Sequence, residues 1–219
     1  ILLLSILNLI LNNMKKIMLI LTIIAQTTIA QNKPKTTNKM SNLETITIGG
    51  GCYWCVEAVY EKLNGVQSVV SGFAGGKTAN PSYEEVSSGK TGYAEVVQIT
   101  YDKSITNLNE IFRVFFTVHD PTTLNRQGAD VGTQYRSVIF FKDETQKVAA
   151  QNIIAALKKA KVYDSPIVTT LEPFTHFYRA EDYHQNYYQN NKNQPYCQMV
   201  IQPKLAKFEK VFKDKLKKK

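Results

Sequence analysis

The feature that most constrains this chain is a run of three glycines, residues 49–51, followed directly by Cys52. The preceding segment, Glu44–Ile48, has the pattern of a short strand. The following segment has apolar residues at helical spacing up to Asn64-Gly65, a typical helix end. Glycine lets the backbone turn sharply and lets a ligand approach closely. The pattern therefore predicts a strand, a tight turn and a helix that begins at Cys52.

A cysteine at the start of a helix has distinctive chemistry. Free N–H groups and the positive end of the helix dipole lower the pKa of such a thiol and favour the thiolate. Tyr53 and Trp54 follow Cys52 and are expected to wall an apolar pocket beside the sulfur. The alternative is a buried, inert cysteine under core aromatics. The glycine turn and the helix start favour the reactive interpretation.

The remaining patterns alternate between strands and helices, with no internal repeat. The predicted strands are Val66–Ala74, Ala94–Tyr101, Tyr135–Phe141 and Pro166–Leu171. The predicted helices are one around Leu108–Phe115 that stops at Asp120-Pro121, Glu144–Lys161 and Ala180–Asn191. Residues 72–92 and 125–134 are predicted to be mostly loop. This order indicates an α+β fold, a two-layer sandwich in which helices pack on a mixed sheet with a ferredoxin-like plait core.

The two ends of the chain differ from its middle. Residues 1–30 contain Met14-Lys15-Lys16, a short apolar run and a small-residue site at Thr28-Ile29-Ala30, which is the pattern of a signal peptide. We expect initiation at Met14 and an extracytoplasmic location, periplasmic or secreted, with a membrane anchor as the alternative. Residues 31–43 form a polar linker, 44–202 the catalytic domain, and 203–219 a basic helix or tail. The net charge is +9, but the lysines lack an aromatic stacking platform, so no nucleic-acid partner is expected.

Four segments together resemble the A-type peptide methionine sulfoxide reductases. They are Gly50-Gly51-Cys52-Tyr53-Trp54, Asn80–Val86 with Gly89–Glu95, Gln127–Ser137, and Ala180–Gln185 with Tyr196-Cys197. Their order matches the family from about Thr45 to Cys197. Three positions depart from the family pattern: Tyr53 replaces a usual Phe, Tyr93 a common His, and Cys55 a usual Gly.

The resemblance implies a role for each matching residue. Cys52 is the expected nucleophile, and Tyr53 and Trp54 the pocket for the substrate methyl group. Glu95 is the expected proton donor. The residues expected to hold the sulfoxide oxygen and order the site are Tyr83, Tyr135 and Asp130. The implied activity is thiol-dependent reduction of methionine S-sulfoxide, as repair of oxidative damage, by a monomer that needs no metal or organic cofactor and is recycled by thioredoxin or a relative.

The chemistry of the residues is consistent with these roles. Sulfoxide reduction needs a nucleophilic thiolate and a neutral acid near the oxygen. Alternation along Ala94–Tyr101 places Glu95 on the same face as Val97 and Ile99. A carboxyl on an apolar face is desolvated, so its pKa is expected to rise. The alternative is a glutamate at a strand end that turns to solvent.

The oxidised nucleophile needs a second thiol, and two are available. Cys55 lies one helical turn after Cys52. Cys197 follows a polar run, Gln185–Gln194, that looks able to move, and the family resemblance favours Cys197 as the first resolving thiol. A relay through both cysteines also fits three thiols.

Three other functions remain open from the sequence. A general thiol–disulfide oxidoreductase would use Cys52-x-x-Cys55. A zinc-binding module would use Cys52, Cys55, Cys197 and His184, although the last two are too far apart for a close ligand pair. A cysteine hydrolase would pair Cys52 with one of the three histidines, His119, His176 or His184. His119 is expected instead to cap its own helix near Asp120.

Overall fold

The structure, a computed structural model, describes residues 42–218. Within this range the strands are β1 (Leu43–Gly50), β2 (Val66–Ala74), β3 (Ala94–Asp102), β4 (Arg126–Gln127), β5 (Asp130–Val131), β6 (Ser137–Phe141), β7 (Thr170–Pro173) and β8 (Phe177–Arg179). The α-helices are α1 (Tyr53–Tyr60), α2 (Tyr83–Ser87), α3 (Leu108–Val118), α4 (Glu144–Lys159), α5 (Tyr187–Asn190) and α6 (Gln202–Val211). Short 3₁₀ turns span Thr133–Tyr135, Asp182–His184 and Lys213–Lys215, and a π-helical turn spans Cys197–Ile201.

The main sheet has the strand order β7-β6-β1-β3-β2-β8. Its four inner strands pair antiparallel, in the order β6-β1-β3-β2. With α1 between β1 and β2, and α3 between β3 and β6, this is a ferredoxin-like plait. β7 extends the sheet by pairing parallel to β6, and β8 pairs antiparallel to β2. The predicted α+β class, mixed sheet and plait core are therefore confirmed.

The two faces of β3 contact different cores. Val97 and Ile99 belong to the main core, which also contains buried residues of α1 and α3, whereas Ala94 and Val96 belong to a smaller cluster with Val138 and Phe140. This is the period-2 alternation of a strand. Glu95 has the same parity as Val97 and is 2% exposed. The alternation thus points the carboxyl of Glu95 into the main core, at the end of β3 that contacts α1.

The helices begin where short polar side chains can accept a free backbone N–H. Asn107 and Asp143 do this for α3 and α4. Ser82 and Glu85 form a reciprocal capping box for α2, inside the segment predicted to be loop. The sequence signal for α2 was a serine followed three residues later by a glutamate. The prediction gave more weight to the surrounding glycines, which favour a loop.

Several predicted boundaries are wrong. β6 begins at Ser137, because Tyr135 lies in a 3₁₀ turn. The strand predicted at Pro166–Leu171 is instead Thr170–Pro173, set by its parallel pairing with β6. The helix predicted at Ala180–Asn191 is broken at Asn186, whose φ of 51° is left-handed.

The basic C-terminal segment packs on the domain. Leu205 and Phe208 of α6 lie in the main core. After α6, the backbone N–H of Lys217 donates to the carbonyl of Lys62 at 2.9 Å. Residues of the predicted basic helix or tail thus share the domain core, while most of its lysines are exposed.

No helix within residues 42–218 is long and apolar enough to cross a membrane. The predicted signal peptide and most of the linker lie outside the described residues.

Candidate active site

The glycine turn positions Cys52 at the N-cap of α1, as predicted. Gly51 has a φ of +91°, and a Cβ at this residue would lie 2.5 Å from Cγ of Gln127. Glycine is therefore required both by the backbone conformation and by the lack of space. Gln127 is itself held in place, because its side-chain amide exchanges hydrogen bonds with the backbone N–H and carbonyl of Asp120. The turn before the nucleophile therefore packs against a side chain that is itself hydrogen-bonded at both ends of its amide.

Cys52 and Cys55 are neighbours at the start of α1, where the backbone N–H of Cys55 donates to the carbonyl of Cys52 at 3.1 Å. Burial, followed by the interaction with the Cys55 thiol, raises the pKa of Cys52 well above its ordinary value. The interaction with Cys52 lowers the pKa of Cys55 to about 7, against its own burial. The prediction that the helix start lowers the pKa of Cys52 is therefore wrong: desolvation of a 6% exposed thiol outweighs the helix dipole.

Glu95 contacts the first turn of α1. Its Oε2 accepts a hydrogen bond from the backbone N–H of Tyr53 at 3.1 Å. Burial raises the pKa of Glu95 to about 8, although this hydrogen bond lowers it. The charge of Glu95 in turn raises the pKa of Cys52. A carboxyl that stays protonated at neutral pH thus lies beside the buried thiol, and the solvent-facing alternative is excluded.

Tyr83 and Tyr135 border the same site from α2 and from the 3₁₀ turn before β6. Burial, then the nearby charges of Glu95 and Cys52, raises the pKa of Tyr135. For Tyr83 burial is again the largest cause, and the same two groups contribute. Both phenols therefore stay neutral and can donate a hydrogen bond without adding charge.

Asp130 reaches the thiol pair through a tyrosine that the sequence analysis did not assign to the site. The hydroxyl of Tyr196 donates to Oδ2 of Asp130 at 2.8 Å and lies 3.8 Å from Sγ of Cys55. Its proximity also acts against the rise in the pKa of Cys52. The only sequence signal for Tyr196 was its place beside Cys197 in the last family-like segment.

Aromatic rings form one wall of the site. Trp54 is stacked on Tyr187 with ring centroids 3.7 Å apart and planes 7° apart. His184 lies 5.4 Å from the ring of Tyr53 and 4.4 Å from that of Tyr83. Burial lowers the pKa of His184, so the imidazole is neutral here. Tyr187 and His184 were also not assigned to the wall, since only the fold brings the 180s against α1.

Cys197 is the third thiol, near Cys55. It is fully buried at the start of the π-helical turn. Burial, followed by the charge of Cys55, raises its pKa. The three cysteines are reduced in this structure. Cys55 contacts both Cys52 and Tyr196, whereas the neighbour that shifts the pKa of Cys197 is Cys55.

The histidines do not pair with Cys52. His119 caps α3, where its Nδ1 lies 2.6 Å from the carbonyl of Phe115 and its Nε2 2.8 Å from Oγ of Ser137. His176 is exposed beside Tyr178. The ring nitrogens of His184 lack hydrogen-bond partners in the described structure. The hydrolase alternative therefore has no base, and within residues 42–218 no three His, Cys, Asp or Glu side chains group as metal ligands.

Comparison with known proteins gives a consistent result. The sequence model of the family described as "Peptide methionine sulfoxide reductase" matches residues 44–216. The chain is 54% identical over 170 residues to a peptide methionine sulfoxide reductase MsrA of Chromobacterium violaceum, covering 78% of this chain and 97% of that protein. It is 53% identical over 175 residues to an MsrA of Saccharolobus solfataricus, covering 80% and 98%.

Two solved structures resemble the fold. The reduced form of Mxr1 from Saccharomyces cerevisiae aligns with a TM-score of 0.64 at 34% identity, covering 72% of this chain and 91% of that one. Methionine sulfoxide reductase A of Corynebacterium diphtheriae aligns with a TM-score of 0.60 at 36% identity, covering 68% and 76%.

Proposed function

Because the chain belongs to the peptide methionine sulfoxide reductase family, we propose that it reduces the S epimer of methionine sulfoxide, free or in proteins, by attack of Cys52 on the substrate sulfur. The observation that carries this proposal is the pairing of Cys52 at the start of α1 with Glu95, a buried carboxyl protonated near neutral pH. The expected biological role is repair of proteins damaged by oxidation.

In the first step Cys52 loses its proton and attacks sulfur. The thiolate of Cys55, whose pKa is lowered to about 7 by the interaction with Cys52, receives that proton. Glu95 donates its proton to the sulfoxide oxygen as negative charge develops there. The S–O bond breaks, the oxygen passes to Cys52, and the products are the thioether and a Cys52 sulfenic acid. The substrate sulfur is reduced by two electrons, and Cys52 is oxidised by two.

Neutral donors complete the acid site. The hydroxyls of Tyr83 and Tyr135 hold the sulfoxide oxygen, and their raised pKa keeps them protonated. Tyr53 and Trp54 enclose the methyl group. Asp130 fixes the hydroxyl of Tyr196 over the thiol pair. Donors already in place when charge develops require no reorganisation, which is the usual source of such catalysis.

The sulfenic acid is then resolved by a thiol of the same chain. The resemblance favours Cys197 first, but the contacts favour Cys55, because its backbone N–H bonds the carbonyl of Cys52 at 3.1 Å and its thiol shifts the pKa of Cys52, whereas Cys197 is not among the groups that do so. We therefore propose a relay. Cys55 condenses with the sulfenic acid to form the Cys52–Cys55 disulfide and releases water, and Cys197 then attacks Cys55 and frees Cys52. Thioredoxin or a relative supplies the two thiols that reduce the final disulfide.

The reaction is tested with purified protein and separated epimers. We expect dithiothreitol to support reduction of the S epimer alone, and Cys52→Ser to abolish turnover with dithiothreitol and with thioredoxin. Consumption of only the R epimer, or activity of Cys52→Ser above background, would overturn the assignment.

The order of the thiols is tested by comparing the two matched serine variants. In the relay, Cys197→Ser still forms a Cys52–Cys55 disulfide in one turnover, whereas Cys55→Ser accumulates sulfenic acid that dimedone traps. Both lose cycling driven by thioredoxin. If Cys55→Ser forms a Cys52–Cys197 disulfide as fast as the wild type closes its first disulfide, Cys197 is the first resolver and the relay order is wrong.

We also propose that Met14–Ala30 directs export, on the strength of its signal-peptide pattern. Cell fractionation of the full-length chain checks this, with N-terminal sequencing to find the cleavage site. Recovery of the uncleaved chain in the cytosol would contradict both the exported and the anchored forms.

A further inference from the structure

A second buried carboxyl, Glu57, lies one helical turn beyond the site and has no part in the proposed chemistry. It is 1% exposed, on α1. Its Oε2 accepts a hydrogen bond from the backbone N–H of Tyr187 at 3.3 Å. Its Oε1 has no partner that meets hydrogen-bond geometry. Burying such a group is costly, so its retention among apolar residues needs a reason.

The partner of Glu57 is a strained turn. Asn186 has left-handed dihedrals, φ 51° and ψ 33°, and Tyr187 begins the four-residue helix α5. A left-handed residue followed by a right-handed one directs successive backbone N–H groups toward the same point, which forms a small anion-binding concavity. In this concavity the N–H of Tyr187 donates to Glu57, and the backbone of Asn186 also acts to lower the pKa of that carboxyl. Glu57 therefore supplies the acceptor that this turn requires.

The same turn positions Tyr187, one of the aromatic rings that form the wall of the site. Tyr187 is stacked face to face on Trp54 at 3.7 Å. Trp54 and Glu57 are three residues apart on α1, so they lie on the same side of the helix. The helix thus holds Tyr187 at two points: its backbone through Glu57 and its ring through Trp54.

We infer that Glu57 is a positioning residue for the substrate pocket: its carboxyl holds the Asn186-Tyr187 turn so that Tyr187 fixes the indole of Trp54 against the place of the substrate methyl group. The inference rests on the proposed function. It assigns a role to a residue that contacts neither Cys52 nor Glu95 in the described contacts.

The chain offers a direct reporter, because Trp54 is its only tryptophan. Glu57→Met removes both acceptors at similar volume, while Glu57→Gln keeps one carbonyl acceptor. We expect Glu57→Met to shift the emission of Trp54 to longer wavelength and to increase its quenching by acrylamide. KM for a methionine sulfoxide peptide should rise about tenfold, the usual effect of one lost buried hydrogen bond, with little change in kcat. Glu57→Gln should remain near the wild type in both measurements.

Combining the change with Tyr187→Ala separates positioning from a general structural role. If Glu57 acts through Tyr187, the double variant Glu57→Met/Tyr187→Ala has the KM of Tyr187→Ala alone. The inference would be overturned if the KM increases of the two single variants multiplied in the double variant. It would also be overturned if Glu57→Met had the emission and the KM of the wild type. If Glu57→Met does not fold, Glu57→Asp, whose shorter side chain cannot reach the turn, is measured in its place against the same criteria. The emission of Trp54 can be measured without activity. If the chain did not reduce methionine sulfoxide, the proposed function would be refuted, but the emission would still test whether Glu57 places Tyr187 against Trp54.

Discussion

Two buried glutamates bond backbone N–H groups at helix α1, and their similarity makes the contrast between them informative. Glu95 reaches the helix from β3 and accepts the N–H of Tyr53 at 3.1 Å. Glu57, on the helix itself, accepts the N–H of Tyr187 at 3.3 Å. Burial raises the pKa of the first to about 8 and that of the second to about 7. Neither burial nor a raised pKa, therefore, distinguishes an acid catalyst from a structural carboxyl.

Their neighbours make the distinction. The charge of Glu95 raises the pKa of Cys52 and of two site tyrosines, Tyr83 and Tyr135. The side chain whose charge most affects Glu57 is Glu61, and the other groups that shift its pKa include the backbone of the turn at Asn186. A perturbed carboxyl indicates function only when the group that it serves is within reach.

The largest expected effect comes from replacing each of the two glutamates in turn with glutamine, which has no carboxyl proton to donate. Glu95→Gln should slow single-turnover reduction by about 10²–10⁴-fold, the usual contribution of a general acid. The alkylation of Cys52 by iodoacetamide should persist, because the amide keeps the shape of the side chain. The matched Glu57→Gln should leave the single-turnover rate close to that of the wild type. Equal losses in the two variants would show that the contrast is wrong.

A smaller effect is expected in the pH dependence of the reduction step. The acid must be protonated, so the rate of reduction should fall as the pH rises through about 8, the pKa of Glu95, by about tenfold per pH unit beyond it. Glu57→Gln should keep this fall, whereas Glu95→Gln should lose it. Stopped-flow single turnovers with pre-reduced protein give the profiles. A fall that survives in Glu95→Gln would assign the pKa to another group.

The smallest effect is expected in stability. Both folded-state pKa values lie above the ordinary value of 4.5. As the pH rises above 4.5 the unfolded chain loses these protons while the folded chain retains them, so the folded state loses stability up to the folded pKa. Each glutamine variant should lose less stability than the wild type between pH 5 and pH 9. The stability spared between pH 5 and pH 9, relative to the wild type, should be about 1 kcal/mol greater for Glu95→Gln, because the pKa of Glu95 is about one unit higher than that of Glu57. Urea unfolding at the two pH values measures this difference in the free energy of unfolding. If Glu57→Gln spares more stability than Glu95→Gln, then Glu57 is the glutamate whose charge is more costly to bury.

Errors in the sequence-based prediction fall where pairing or distant packing decides the structure. β7 is shifted from the predicted strand because β6 sets its register. The helix predicted through the 180s is interrupted at Asn186, where the carboxyl of Glu57 stabilises a left-handed turn from 130 residues away. A propensity pattern cannot include an acceptor that is so distant in the chain.

Local rules were sufficient for the core of the site. Three glycines before Cys52 determine the turn and the helix start, because only glycine tolerates the φ of Gly51. Period-2 alternation determines that Glu95 faces the main core with Val97. Both follow from the backbone of a few consecutive residues, and the order of the family-like segments indicates the chemistry.

Only the tertiary structure decided how the thiols and the wall are arranged. The fold brings Tyr196 onto the thiol pair and Tyr187 onto Trp54, from segments more than 130 residues later in the chain. It also buries Cys52 so deeply that desolvation raises the pKa of its thiol, whatever the helix start contributes. The position of a cysteine at a helix start is a local property, whereas its charge depends on everything that excludes water around it.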